Sequence, residues 1–195
     1  MPDCTVVATA ITVQSGTGLR ASWALPAARV AAQLDELLAN LPVRAAKLGQ
    51  VPGERIAAML GRRLARAGIP VVVDPVLRAS GGGTLAAAKA ARAIARSLFP
   101  VATLVTVNLD EASFFAGIPV RDVAGMRRAA GRILDLGACA VLVKGGHLAG
   151  APVDLLCTGS REVAWRGRRL RGSLHGTGCA LALPVDSSTS TNSPG

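Results

Sequence analysis

The sequence has no tyrosine, three phenylalanines and two tryptophans among its 195 residues. Single-stranded nucleic acid is bound by stacking bases on exposed aromatic rings. Trp23, Phe99, Phe114, Phe115 and Trp165 leave few rings for such a platform. Cysteine is scarce as well. Cys4, Cys139, Cys157 and Cys179 form no C-x-x-C pair, so no zinc-ligand spacing is present. Cys139 and Cys157 lie in apolar, strand-like runs, where a free thiol is expected to behave as a small hydrophobe. Long hydrophobic runs are also missing. Val6–Val13 falls far short of the roughly 20 residues of a spanning helix, so no membrane partner is expected. Met1-Pro2-Asp3-Cys4 carries an acid and neither Lys nor Arg. A secretory signal is therefore not expected, and the expected setting is the cytoplasm with reduced thiols. No internal repeat is visible.

What is present points to a folded enzyme-sized domain. Half the residues are apolar and 17% are charged, which excludes disorder for most of the chain. The length suits one domain, able to bury about 70% of its unfolded-state surface. Twenty-two basic residues against 12 acids give a net charge of +10. That balance raises affinity for polyanions, phosphorylated ligands included. All the basic residues but Lys47, Lys89 and Lys144 are arginines, a bias that also fits a solvated surface. The Arg161–Arg171 stretch contains one aromatic, Trp165, and no nucleic-acid motif, so no nucleic-acid partner is expected.

Short β-branched runs alternate with Ala/Leu/Arg stretches. The pattern predicts a buried strand over Val6–Val13, a helix from Pro26 to Ala39 and a short strand near Ala45–Leu48. A second helix is predicted over Gly53–Ala67, with Ile56, Leu60 and Leu64 at four-residue spacing. A buried strand, Pro70–Asp74, follows. The glycines at 81–83 read as a loop, Thr84–Leu98 as a third helix and Leu104–Val107 as a strand. Asn108 is placed to cap a short helix through Ala116. Asp122–Leu136 reads as a helix and Ala140–Lys144 as a strand stopped by Gly145-Gly146. Val153–Cys157 and Glu162–Trp165 read as a hairpin. Residues 1–183 are expected to form one domain, and the Ser/Thr/Pro-rich residues 184–195 a disordered tail.

Alternating strands and helices imply a mostly parallel sheet covered by helices. Ligands bind such sheets at the carboxyl ends of the strands. Asp74, the Thr106–Glu111 segment and Lys144 all fall at or just past such ends. Further on, Gly176-Thr177-Gly178-Cys179 precedes an Ala-rich run. A turn entering a helix offers free N–H groups and a favourable dipole to anions, glycines let phosphate oxygens come close, and a thiol there gains thiolate character.

Four segments occur in order: Val-Val-Val-Asp-Pro-Val (71–76), Asn-Leu-Asp-Glu-Ala (108–112), Val-Leu-Val-Lys-Gly-Gly-His (141–147) and His-Gly-Thr-Gly-Cys (175–179). Together they resemble the hydroxymethylpyrimidine/phosphomethylpyrimidine kinases of thiamine biosynthesis, in the ribokinase superfamily. Cys4–Gln14 and Ala31-Ala32-Gln33-Leu34 share the likeness, which covers most of residues 4–182. The resemblance implies a three-layer α/β/α fold, incomplete at both termini. It implies ATP- and Mg²⁺-dependent phosphorylation of an aminopyrimidine hydroxymethyl group and of its monophosphate.

Site residues follow from the same motifs. Cys179 is implied as general base, with Gly176, Thr177 and Gly178 as the anion hole. Lys144, Asn108 and Thr177 are implied at the nucleotide, Gln14 and Val76 at the pyrimidine, and Asp74 and Glu111 at magnesium. A homodimer is the assembly the resemblance allows. Gln50 departs from the family's usual methionine. The alternatives are a pyridoxal-type vitamin kinase and a non-catalytic homologue that binds nucleotide or a partner.

Overall fold

The computed structural model describes residues 4–15, 18–78 and 86–168. It begins with an antiparallel hairpin of β1 (Ala10–Ser15) and β2 (Gly18–Ala24). Then come α1 (Ala27–Asn40), β3 (Ala46–Leu48), α2 (Glu54–Ala67), β4 (Val71–Val73) and α3 (Ala88–Leu98). They are followed by β5 (Leu104–Asn108), α4 (Leu109–Ala116), α5 (Val123–Asp135) and β6 (Ala140–Lys144). β7 (Val153–Thr158) and β8 (Glu162–Arg166) close the described chain.

Among the described residues, six strands make one sheet in the order β3-β4-β5-β6-β7-β8. The first four are parallel; β7 and β8 run antiparallel. Parallel neighbours need long crossovers, and α2, α3 and the α4–α5 pair supply them. The strands owe their place to alternation. Val71, Val73, Val105, Val107, Val141, Val143 and Leu155 are no more than 1% exposed. Val72, Leu142 and Leu156, which alternate with them, are half-buried, while Thr106, between Val105 and Val107, is buried. One face therefore carries the packed core. Full burial of a Val or Leu contributes roughly 1.5–3 kcal/mol, so this row is a large share of what holds the sheet to its helices.

Helix α2 lays Ile56, Leu60 and Leu64 into that core, as its spacing predicts. It ends at Gly68, whose φ of +63° suits glycine. At Gly61 it crosses the end of α3 so closely that an added Cβ would lie 2.2 Å from the Ser97 carbonyl oxygen. Helix α4 starts with a reciprocal capping box: Asn108 accepts from the Glu111 amide and Glu111 accepts from the Asn108 amide.

Three expectations need correction. The N-terminal apolar run does not make a buried strand at Val6–Val13; the strand is Ala10–Ser15, in a hairpin whose return strand has no β-branched run to announce it. Val6 is 82% exposed, and Ile11 and Trp23, paired across the hairpin, are 57% and 58% exposed. A two-stranded ribbon has no second layer to bury its outer face. Cys139 is exposed, whereas Cys157 is buried as expected; Cys139 precedes the strand instead of sitting in it. The third helix begins at Ala88, not Thr84. The glycine loop at 81–83 and the tail at 184–195 lie outside the described residues. Among the described residues, no helix is long and apolar enough to cross a membrane.

Candidate active site

Among the described residues, the buried polar or charged side chains are Asp74, Thr106 and Glu111, at 3%, 2% and 6% exposure. Asp74 directly follows β4, Thr106 lies in β5 and Glu111 in α4 just past β5, near the carboxyl ends where such a sheet directs ligands. Asp74 donates its amide N–H to the Leu48 carbonyl at 2.8 Å. Its Oδ1 accepts from Thr106 Oγ1 at 2.9 Å and from Lys144 Nζ at 3.0 Å. Its Oδ2 lies 3.5 Å from Lys47 Nζ. Two ammoniums from strands on either side therefore flank one buried carboxylate, the pairing that burying a charge requires.

Glu111 completes the cluster from α4. Oε2 accepts from the Asn108 amide at 3.0 Å, and Oε1 accepts from the Leu77 amide at 3.4 Å. Burial pushes its pKa up; the Asn108 amide, the Lys144 charge and the Leu77 amide pull it back, and the Asp74 charge adds to the rise. Glu111, Asp74 and Lys144 thus act on one another electrically. Asn108 is held in the same place by the capping box. Val76 is half-buried two residues past Asp74, and its amide donates to the Asp74 carbonyl at 2.8 Å.

The end of β6 is fixed by packing. A Cβ at Gly145 would lie 2.0 Å from the Val153 carbonyl oxygen. The Gly145 amide donates to Asp154 Oδ1 at 2.9 Å. Only glycine lets β7 come so near, and this contact holds the backbone next to Lys144. Beside the cluster, Asn108, Leu109, Asp110, Val120, Arg121 and His147 line a cleft of about 400 Å³.

The structure therefore brings together Asp74, Glu111, Lys144 and Asn108 of the sequence-derived set, with Val76 adjacent. Gln14 stands apart on the hairpin, exposed, beside a register shift between Val13 and Gln14. The hairpin is tied to the segment after β3: Thr9 Oγ1 donates to the Gln50 carbonyl at 2.7 Å, and Gln50 Nε2 donates to Ser22 Oγ at 3.1 Å. Gly176, Thr177, Gly178 and Cys179 lie outside the described residues. Sequence reasoning missed Lys47 and the partnership of Thr106 with Asp74. The available signal was compositional, since Lys47 is one of three lysines and stands in a strand.

The donor set fits magnesium. Mg²⁺ keeps several waters and takes one or two carboxylates along with substrate phosphates. Among the described residues no group of three or more His, Cys, Asp or Glu could hold a metal alone. Asp74 and Glu111 already accept hydrogen bonds from protein donors, so they suit an ion held through water.

Comparison with known proteins matches residues 3–193 to the family model for phosphomethylpyrimidine kinase. A hydroxymethylpyrimidine/phosphomethylpyrimidine kinase of Streptomyces coelicolor is 41% identical over 180 residues, covering 92% of this chain and 67% of that protein. The crystal structure of phosphomethylpyrimidine kinase from Clostridium difficile superposes with a TM-score of 0.74 at 33% identity, covering 82% of this chain and 70% of that one. The pyridoxal kinase of Staphylococcus aureus, solved with pyridoxal, gives a TM-score of 0.81 at 30% identity, over 91% of this chain and 65% of that one. These neighbours bear out the α/β/α ribokinase-like fold class implied by the motifs. The chain spans about two thirds of the length of these relatives.

Proposed function

The chain belongs to the phosphomethylpyrimidine kinase family, and on that premise we propose that it moves the γ-phosphoryl group of ATP to 4-amino-5-hydroxymethyl-2-methylpyrimidine and then to its monophosphate. These are two kinase steps of thiamine biosynthesis, and the cytoplasm is the compartment proposed. The observation that carries the reading is the buried Asp74, held between Lys47 and Lys144 with Thr106 and Glu111 beside it.

Phosphoryl transfer asks the protein for positioning and charge neutralisation more than for covalent chemistry. Lys144 sits at the end of β6, next to the cleft at Asn108, and its ammonium is available to nucleotide phosphates once it exchanges Asp74 for them. Asn108 keeps its side chain at the start of α4, where the helix dipole favours negative charge. Asp74 and Glu111 would hold a magnesium ion through its water shell, and such an ion would supply charge neutralisation for the nucleotide phosphates. Val76 and Gln14 face the pyrimidine in this reading. Cys179 takes the hydroxyl proton in the first transfer, and the amides of Gly176, Thr177 and Gly178 receive charge on the moving phosphoryl group. The motif match supports these last four roles.

The test is phosphorus NMR of the chain with ATP, Mg²⁺ and the aminopyrimidine. A phosphomonoester signal is expected first and a diphosphate ester later. ATP left intact at high protein concentration would overturn the reading. A second reading, a pyridoxal-type kinase, rests on the TM-score of 0.81; the same assay with pyridoxal in place of the aminopyrimidine separates the two.

A further inference from the structure

The two lysines beside Asp74 are not equivalent, and the difference points to separate duties. Lys144 makes a 3.0 Å hydrogen bond to Oδ1 and stands in β6 in register with Asn108, which lines the cleft. Lys47 meets Oδ2 at 3.5 Å, and its side chain is the more exposed of the two, 21% against 14%. An ammonium has three donors, and among the described residues that of Lys47 meets Asp74 alone. Lys47 also comes from the other side of the carboxylate. It lies in β3, three residues before Gln50, the residue that ties down the hairpin bearing Gln14. A chain that builds 19 of its 22 basic residues as arginine keeps a lysine at both positions next to this acid. A lysine supplies a compact point charge on a flexible stem where a guanidinium would impose a planar fork.

We propose that Lys47 is the cation for a phosphate already carried by the acceptor, and so the residue that admits the second of the two transfers. The inference rests on the pyrimidine kinase reading given above. The chemistry requires such a group. In the second transfer an oxygen of the acceptor's phosphate attacks the γ-phosphorus of ATP. A new P–O bond forms, and the bridging bond to the β-phosphate breaks with its electron pair left on ADP. The acceptor phosphate, with a second pKa of about 6, is mostly dianionic at neutral pH, so no proton must leave. What must be overcome is the approach of two polyanions. Lys144 serves the nucleotide, and Lys47, on the acceptor side of Asp74, serves the other.

The experiment is titration calorimetry of the full chain with a non-hydrolysable ATP analogue and Mg²⁺, using the hydroxymethylpyrimidine and its monophosphate as separate ligands. Lys47→Met is expected to shift the ratio of the two dissociation constants about tenfold or more against the monophosphate, the usual worth of a charge-assisted contact. Lys47→Arg is expected to restore part of that ratio. Equal weakening of both ligands, or an unchanged ratio, overturns the proposal and makes Lys47 a counter-charge for Asp74 alone. Wild-type binding of the hydroxymethyl compound without the monophosphate overturns it too, takes the second transfer of the parent reading with it, and leaves the first transfer standing. Wild-type binding of neither brings both down. Circular dichroism checks the fold, and Lys47→Gln replaces Lys47→Met if the latter does not fold.

Discussion

The acid–lysine cluster and the β1–β2 hairpin stand at opposite extremes of the same molecule. Asp74, Thr106 and Glu111 are polar yet almost wholly buried. Ile11, Val13 and Trp23 are apolar yet 47% to 58% exposed. In the cluster every charge has a partner of opposite sign or a hydrogen-bond donor, and the positions are set by four strands in register. The hairpin is attached by a few polar links, through Thr9, Gln33 and Gln50. In the proposed reading, the fixed chemistry of phosphoryl transfer falls to the sheet ends. The hairpin is left as an added flap whose sequence can change at small cost to the core.

The sharpest way to break the comparison is Asp74→Asn. It removes the negative charge between two ammoniums, and uncompensated buried charge costs about 3–5 kcal/mol. Since Lys47 and Lys144 keep some exposure to water, a loss nearer 3 kcal/mol is expected in urea unfolding, together with loss of transfer in the phosphorus assay. A drop under 0.5 kcal/mol would mean that the cluster contributes little to the fold. Next in size is Gly145→Ala. The added methyl meets the Val153 carbonyl, and forcing extra volume into a packed site costs about 1–3 kcal/mol. The unfolding midpoint is expected to fall and the nucleotide affinity with it, because Lys144 shifts along with the backbone.

Glu111 gives a pH signature. Its pKa is raised in the folded chain, chiefly by burial. The folded state therefore holds this proton to higher pH than the unfolded state does, and stability declines as pH rises through the window from the unfolded value up to the folded one. Measured without Mg²⁺, Glu111→Gln is expected to flatten that decline while keeping the capping box, since Gln also accepts from the Asn108 amide. An unaltered pH slope would assign the decline to another group. The smallest effect belongs to the hairpin. Trp23→Ser, at an exposed position, is expected to leave unfolding free energy within about 0.5 kcal/mol; a larger loss would show that the hairpin is part of the core after all.

These contrasts also explain what could be read from the sequence. Strands β4, β5 and β6 and helices α2, α4 and α5 follow from local alternation, spacing and caps, and lie within two residues of where those signals put them. Asp74, Asn108, Glu111 and Lys144 were legible because motif order and strand ends point to them. The hairpin was not, since its return strand, Gly18–Ala24, has Arg20, Ser22 and two alanines in place of a β-branched run. Lys47 was not either. Its partner is 27 residues away, and only the parallel register of β3 with β4 brings the ammonium to Asp74. Cys139 is exposed because the apolar run of the sequence extends one residue before the strand begins. The anion-hole segment at 176–179 lies outside the described residues, and its role rests on motif resemblance.

The most direct test of the account is a structure of the chain with a non-hydrolysable ATP analogue and Mg²⁺. The expected result has Lys144 Nζ released from Asp74 onto phosphate oxygens, with the triphosphate beside Asn108 and Asp74 and Glu111 facing the ion through water. A nucleotide bound elsewhere, with the Lys144–Asp74 pair intact, would contradict it.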